Sequence, residues 1–133
     1  MIESLSIRTS REVEIIDITG KVQEIVRRSG IENGIVVVYT RHTTTGIIVN
    51  ENEPRLLSDI ENILSKLIPK GADYRHDSID NNAHSHLRAI LLGPSVAIPI
   101  VNGELILGTW QSILFVELDG PRKREVYVKV CKC

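Results

Sequence analysis

Four histidines, His42, His76, His84 and His86, are the residues of this chain best suited to chemistry, and all fall within one stretch of a 133-residue sequence. Imidazole titrates close to neutral pH and, when neutral, ligates metals, so a histidine cluster can move protons or hold a divalent ion. Three imidazoles with one position left for water form the catalytic zinc arrangement, in which the metal acidifies its water or polarises a substrate oxygen. These long separations carry no signature of the kind that a Cys-x-x-Cys pair gives, and the plain alternative is a surface or hydrogen-bonded core histidine. His84 and His86 differ by two positions. On a helix they point about 200° apart and do not share an ion; on a strand they face the same way. A helical reading therefore selects one of the two, and the apolar stripe does not say which.

The elements that must position these residues form an ordinary globular chain. Hydrophobic residues make up 42% and charged residues 25% of the sequence, the balance of a folded domain and not of a disordered or fibrous chain. With one Phe, one Trp and three Tyr, the core must be aliphatic. Sixteen basic and seventeen acidic side chains leave a formal net charge of −1, which provides no field to gather nucleic acid or anionic lipid. The first residues show no basic segment followed by an apolar one, and the longest apolar run, 35–39, is too short to span a bilayer. A cytoplasmic location is expected. Cys131 and Cys133, one residue apart, close too small a loop for a structural disulfide and are expected to be reduced.

Alternation at Leu5, Ile7 and Thr9 and again at Val13 and Ile15 predicts two short strands forming a hairpin or edge pair. Thr19 offers a cap to a helix carrying Val22, Ile25 and Val26, with Arg27 and Arg28 near its end and Gly30 beyond. Residues 34–40 and 46–50 read as buried strands, with Arg41 to Thr45 between them. Pro54 opens a helix lined by Leu56, Leu57, Ile60, Ile63, Leu64, Leu67 and Ile68 and stopped by Pro69. A polar loop over 70–82 holds His76. Residues 83–92 predict a third helix with Leu87, Ile90 and Leu91 as its apolar side, and strands follow over 96–101, 104–107, 110–118 and 125–130. Strands are not separated by regular helices as βαβ units require. The expected fold is a single compact α+β domain over 1–133, an antiparallel or mixed sheet sandwich with about three helices.

The motifs His42-Thr43-Thr44-Thr45-Gly46, Asn50-Glu51, Tyr74-Arg75-His76, Asn82-Ala83-His84-Ser85-His86-Leu87, Gly108-Thr109-Trp110-Gln111 and Asp119-Gly120-Pro121-Arg122 occur in that order. Together they resemble the YjbQ family over nearly the whole chain, most specifically in the last two motifs. The resemblance implies a small, sheet-rich α+β protein, typically a homotrimer, named for a secondary thiamine-phosphate synthase activity. It further implies that the site histidines are His42, His76 and His86, with His84 at a variable position, which breaks the tie left by the helix geometry.

Each remaining motif residue has a plain reading and a functional one. Glu51 either favours a helix N-terminus or acts as a general base beside the histidines. Asn82 caps the third helix or holds a substrate group. Thr43 and Thr44, with Arg41 nearby, either suit a strand end or donate to a phosphate. Gly108 permits close backbone approach, Trp110 offers a flat wall to a heterocycle although a Trp entering a strand is ordinarily core, and Gln111 offers a two-sided amide and a place in catalysis. Arg122, Lys123 and Arg124 form a solvated charge run by default, or contact pyrophosphate through Arg122.

The resemblance implies an enzyme that joins an aminopyrimidine methyl pyrophosphate to a thiazole phosphate, with a divalent metal, zinc by its ligand type, at the histidines. The rivals are a zinc hydrolase of a small phosphorylated or acyl compound and a non-enzymatic trimeric metal- or anion-binding module. All three expect a small-molecule ligand, and neither nucleic acid nor membrane as partner.

Overall fold

In the computed structural model, which describes residues 2–133, the two strands that open the chain part company and do not form the expected hairpin. β1 (Ile2–Arg8) pairs antiparallel with β8 (Lys123–Lys132), whereas β2 (Glu14–Asp17) pairs antiparallel with β7 (Ser112–Glu117) in a second sheet. The residues between them cross from one sheet to the other, so each strand becomes an edge.

The larger sheet runs β1-β8-β3-β5-β6, with β3 (Gly34–Tyr39), β5 (Ser95–Val101) and the two-residue β6 (Glu104–Leu105). The smaller runs β2-β7-β4, with β4 (Thr45–Asn50). All pairings are antiparallel, as expected from the absence of crossover helices. The main core lies between the sheets, where Val36, Val38, Ile98, Val126 and Val128 meet Ile47, Ile113 and Phe115. Helix α1 (Thr19–Ser29) adds Val22, Ile25 and Val26 to it. On the other face of the small sheet, Val116 and Leu118 pack against Leu64 of α2 (Pro54–Leu67) and Ala89 of α4 (Ala83–Leu92). β7 is therefore covered on both sides, which is why its sequence is apolar without alternation.

The helix ends differ in detail from expectation. Thr19 does not cap α1: Ile18 occupies the cap position without a side-chain bond. Asp17 accepts the Thr19 N–H at 2.9 Å, and the Thr19 hydroxyl accepts the Ile113 N–H at 2.8 Å, tying the helix start to β7. Gly30 ends α1 at φ 71°, as the sequence predicts. Glu53 caps α2 by accepting the N–H groups of Arg55 and Leu56, the role that sequence reasoning offered to Glu51. The loop over 70–82 contains a short helix, α3 (Asp77–Asp80), with His76 at its cap position.

α4 lies the other way round from expectation. Leu87, Ile90 and Leu91 face outward, while His84, Ser85, Arg88 and Ala89 are buried. The polar groups are accommodated because partners meet them: the Ser85 hydroxyl donates to the Leu118 carbonyl at 2.6 Å, and Arg88 Nε donates to the Ile68 carbonyl at 3.0 Å. Gly46 allows the approach, since a Cβ there would stand 2.8 Å from the Leu92 Cβ. Among the described residues, no helix is long and apolar enough to cross a membrane.

Candidate ligand-binding site

The link between β3 and β4 carries Arg41, His42, Thr43 and Thr44, and it is pinned from three sides. The Thr40 and Thr45 hydroxyls share a 2.9 Å hydrogen bond, the His42 N–H donates to the Thr40 hydroxyl at 3.3 Å, and the Thr44 carbonyl accepts the Leu118 N–H at 3.1 Å. His42 Nε2 accepts the Glu125 N–H at 3.0 Å, which places the proton of the neutral ring on Nδ1. Burial and then the Arg124 charge hold the His42 pKa below its ordinary 6.5. The imidazole is thus neutral near pH 7.

Behind this link, Arg124 of β8 forms a paired ion bridge with Glu117 of β7, Nη2 to Oε2 at 2.6 Å and Nε to Oε1 at 2.8 Å. Arg124 Nη2 also donates to the Thr44 hydroxyl at 2.8 Å, and the Thr9 hydroxyl donates to Glu117 at 2.8 Å. Burial alone would raise the Glu117 pKa, but hydrogen bonds from Arg124, the Asp119 N–H and Thr9 outweigh it and hold the carboxyl below its ordinary value. From the helix side, Asn82 Nδ2 donates to Asp119 Oδ2 at 3.0 Å, and Arg122 grips the same residue at its carboxylate, 3.1 Å, and its carbonyl, 2.9 Å. The other amide atom, Asn82 Oδ1, is buried without a partner.

These groups surround a polar cavity of about 390 Å³, with His86 on its helix side and Arg41, His42, Thr43, Thr44, Asn82 and Arg122 around it. A second cleft of about 340 Å³ lies against it, formed by Tyr74, Arg75, His76, Ala83, His86 and Leu87. Here the His76 and His86 rings meet edge to face, centroids 4.8 Å apart and planes at 84°. His86 is common to both cavities.

The histidines therefore fall into a chain of neighbours and not a single knot. His42 and His86 share the polar cavity, His86 and His76 share the apolar cleft, and His84 is buried on the core side with Glu12 at 3.7 Å. Among the described residues, no three His, Cys, Asp or Glu side chains are gathered so that they could hold a metal ion. With His42 Nε2 already accepting a backbone N–H, this donor set does not fit the three-imidazole metal centre that the sequence led one to expect.

Glu51, Trp110 and Gln111 stand elsewhere in the chain. β4 and β7 pair from Thr45↔Glu117 at the histidine end to Asn50↔Ser112 at the other, a span of about 17 Å at strand rise. Glu51 follows Asn50 and Gln111 precedes Ser112, so both lie at the far end, away from the histidines of the same copy. The Gln111 side chain accepts the Gly108 N–H at 2.8 Å, and the Gln111 N–H donates to the Gly108 carbonyl at 3.0 Å, which clamps the turn that carries Trp110. That turn has left the sheet, and Trp110 is 73% exposed.

Sequence reasoning missed the Glu117–Arg124 pair and the bridging role of Asp119. A signal for the first was present: Arg124, Val126 and Val128 alternate along β8, which assigns Arg124 to the inward face. Glu117 closes an otherwise apolar strand and needs a partner there. Tyr127, which accepts from Arg41 Nη2 at 2.7 Å and lies under its guanidinium, carried no comparable signal.

A two-sheet α+β domain with a histidine-lined polar cavity beside an apolar cleft is the class that the geometry defines. The family model described as UPF0047 protein YjbQ-like matches residues 3–133, and the chain belongs to that family. It is 57% identical over 128 residues to a UPF0047 protein of Methanothermobacter thermautotrophicus, covering 96% of this chain and 90% of that protein. It superposes on a YbjQ-like protein of unknown function from Sulfolobus solfataricus with TM-score 0.97 at 39% identity, over 100% of this chain and 97% of that one. A hypothetical protein from Aeropyrum pernix gives TM-score 0.96 at 44% identity, over 100% and 99%.

Proposed function

We propose that the paired cavities bind a small phosphorylated heterocycle and that the protein acts on it as a group-transfer enzyme. The observation that carries this reading is that His86 lines both an apolar cleft and a polar cavity whose charged lining is Arg41, Arg122 and Arg124 with Asp80 and Asp119. A ligand with an anionic end and a flat end spans that boundary. Arg41, with the Thr43 and Thr44 hydroxyls, suits a phosphate, and Arg122, exposed and bridged to Asp119, would exchange that bridge for one to the ligand, whereas Arg124 is buried and neutralised by Glu117. Neutral His42 has one ring nitrogen engaged by Glu125 and one N–H free to donate to a leaving oxygen.

The condensation implied by the resemblance is one reaction of this class. The thiazole nitrogen attacks the pyrimidine methylene carbon, the carbon–oxygen bond to pyrophosphate breaks, and pyrophosphate leaves with its electron pair. Arg41 and Arg122 would neutralise the charge that develops on it. Titration calorimetry with pyrophosphate should give binding that Arg41→Ala weakens by tenfold or more, and the two precursors should give thiamine phosphate by chromatography above a His42→Ala control. No pyrophosphate binding at millimolar concentration discards the reading. Stoichiometric zinc in the purified protein, lost in both His42→Ala and His86→Ala, replaces it with the zinc-hydrolase alternative.

A further inference from the structure

Glu125 and Tyr127 leave β8 on the face of the large sheet turned away from the core, because Arg124, Val126 and Val128, which alternate with them, are buried. Tyr39 stands opposite Tyr127 in the β3–β8 register and is 43% exposed on that same face. With Arg41 and His42, the two β8 residues line a third cleft of about 460 Å³. Arg41 and His42 also line the polar cavity, so the two spaces adjoin. Nothing in the reaction proposed above uses this cleft.

A side chain of the protein itself occupies the flat wall of the cleft. The Arg41 guanidinium lies 4.7 Å over the Tyr127 ring and donates to its hydroxyl at 2.7 Å, and that hydroxyl donates to Glu125 Oε2 at 3.3 Å. A guanidinium is planar and carries N–H donors around its edge. Its seat therefore displays the shape that the place accepts: a flat face against the phenol and N–H groups at a rim of oxygen acceptors. Charge narrows the choice further. Lys123 precedes Glu125 by two positions and Lys129 follows Tyr127 by two, both on the same face, and Arg8 pairs with Lys123 in the register. One carboxylate stands among these cations, which disfavours a positively charged guest. We infer that Tyr127 and Glu125 form a binding place for a neutral aromatic ring bearing an amino group, covered by Arg41 until an anion in the adjoining polar cavity draws the guanidinium away. The ring place stands on this geometry; its coupling to an anion rests on the phosphate reading of the polar cavity. Ring and phosphate then each favour the Arg41 position that the other needs, so each tightens the other by the same factor.

The probe is 2-aminopurine, a neutral amino-bearing ring whose fluorescence is quenched by stacking on an aromatic side chain, titrated with the full chain. Arg41→Ala should tighten its binding about tenfold, the gain expected where a competitor covers the place about nine-tenths of the time. Saturating pyrophosphate should tighten binding to the unaltered protein and leave Arg41→Ala unmoved. In the Arg41→Ala background, Tyr127→Leu should abolish the quenching, Tyr127→Phe should keep it, and Glu125→Gln should weaken binding about threefold through the lost charged acceptor. The last two changes, one conservative and one at an exposed position, keep the test open if Tyr127→Leu misfolds. Binding to Arg41→Ala no tighter than to the unaltered protein, quenching that survives in a folded Tyr127→Leu protein, or no quenching in any variant overturns the inference. Pyrophosphate that binds without tightening 2-aminopurine overturns the exchange at Arg41. Pyrophosphate that fails to bind removes the phosphate reading alone, and the Arg41→Ala comparison still decides the ring place.

Discussion

Arg124 and Glu117 face each other across the end of the two sheets, Nη2 to Oε2 at 2.6 Å, with side-chain exposures of 6% and 0%. Neither charge has water to fall back on. The Thr9 and Thr44 hydroxyls complete the arrangement, so that four stretches of chain meet in one hydrogen-bonded group and the wall of the polar cavity is made from it.

Arg124→Met should therefore destabilise the protein by about 3–5 kcal/mol, because it leaves the Glu117 carboxylate buried and uncompensated. The double change with Glu117→Leu should recover much of that loss. Urea unfolding of the three proteins checks both; equal midpoints for Arg124→Met and the unaltered protein would show the pair to be energetically idle.

Gly46→Ala should cost about 1–3 kcal/mol by overpacking, since its Cβ would meet the Leu92 Cβ at 2.8 Å and push α4 off the sheet. Because α4 carries His86, the same change should weaken pyrophosphate binding although position 46 lines neither cavity. Calorimetry on the folded variant reads this, and unchanged affinity would uncouple the helix seat from the site.

Stability should fall as the solution is acidified from pH 7.5 to 5.5. Burial, aided by Arg124 at His42 and by Arg88 at His84, lowers both imidazole pKa values from 6.5. A depressed value means that the unfolded chain takes up protons first, so this contribution is complete above about pH 6.5 and is lost as pH drops through the folded values. Glu117, also depressed, acts in the same sense lower down, beginning below about pH 4.5. Denaturation midpoints across pH test the first window, and His84→Asn should flatten it.

His86→Ala should weaken both pyrophosphate and an uncharged aminopyrimidine probe, whereas Leu87→Ser should weaken the aminopyrimidine alone. His86 borders both cavities and Leu87 only the apolar one. Parallel losses in both variants would mean that the two cavities are one.

Where apolar spacing alone decides, the sequence was a good guide: Pro54 opens α2, Gly30 closes α1, and β3, β4 and β5 lie where their β-branched runs predict. It misled at α4, because Leu87, Ile90 and Leu91 read as a core stripe while the buried side is made of groups whose partners, Leu118 and Ile68, lie on other elements. Separations in sequence as long as that between Thr9 and Glu117 leave no local trace. The neighbourhood of His42, Thr43, Thr44, Asn82, His86 and Arg122 was legible as motif residues, but the 17 Å or so that sets Glu51 and Gln111 apart from it follows from strand direction. An antiparallel pairing sends the two ends of a strand to opposite poles, and residue types do not record which pole.

The pairing of β1 with β8 has a consequence for biogenesis. β1 has no neighbour in its sheet other than β8, so during synthesis it must wait, unpaired, until β8 has left the ribosome. Arg124 arrives with β8, and before it arrives Glu117 has no counter-charge. The pocket therefore cannot exist on a nascent chain before β8 does, and any premature stop ahead of β8 leaves a product with neither its sheet edge closed nor its binding wall built.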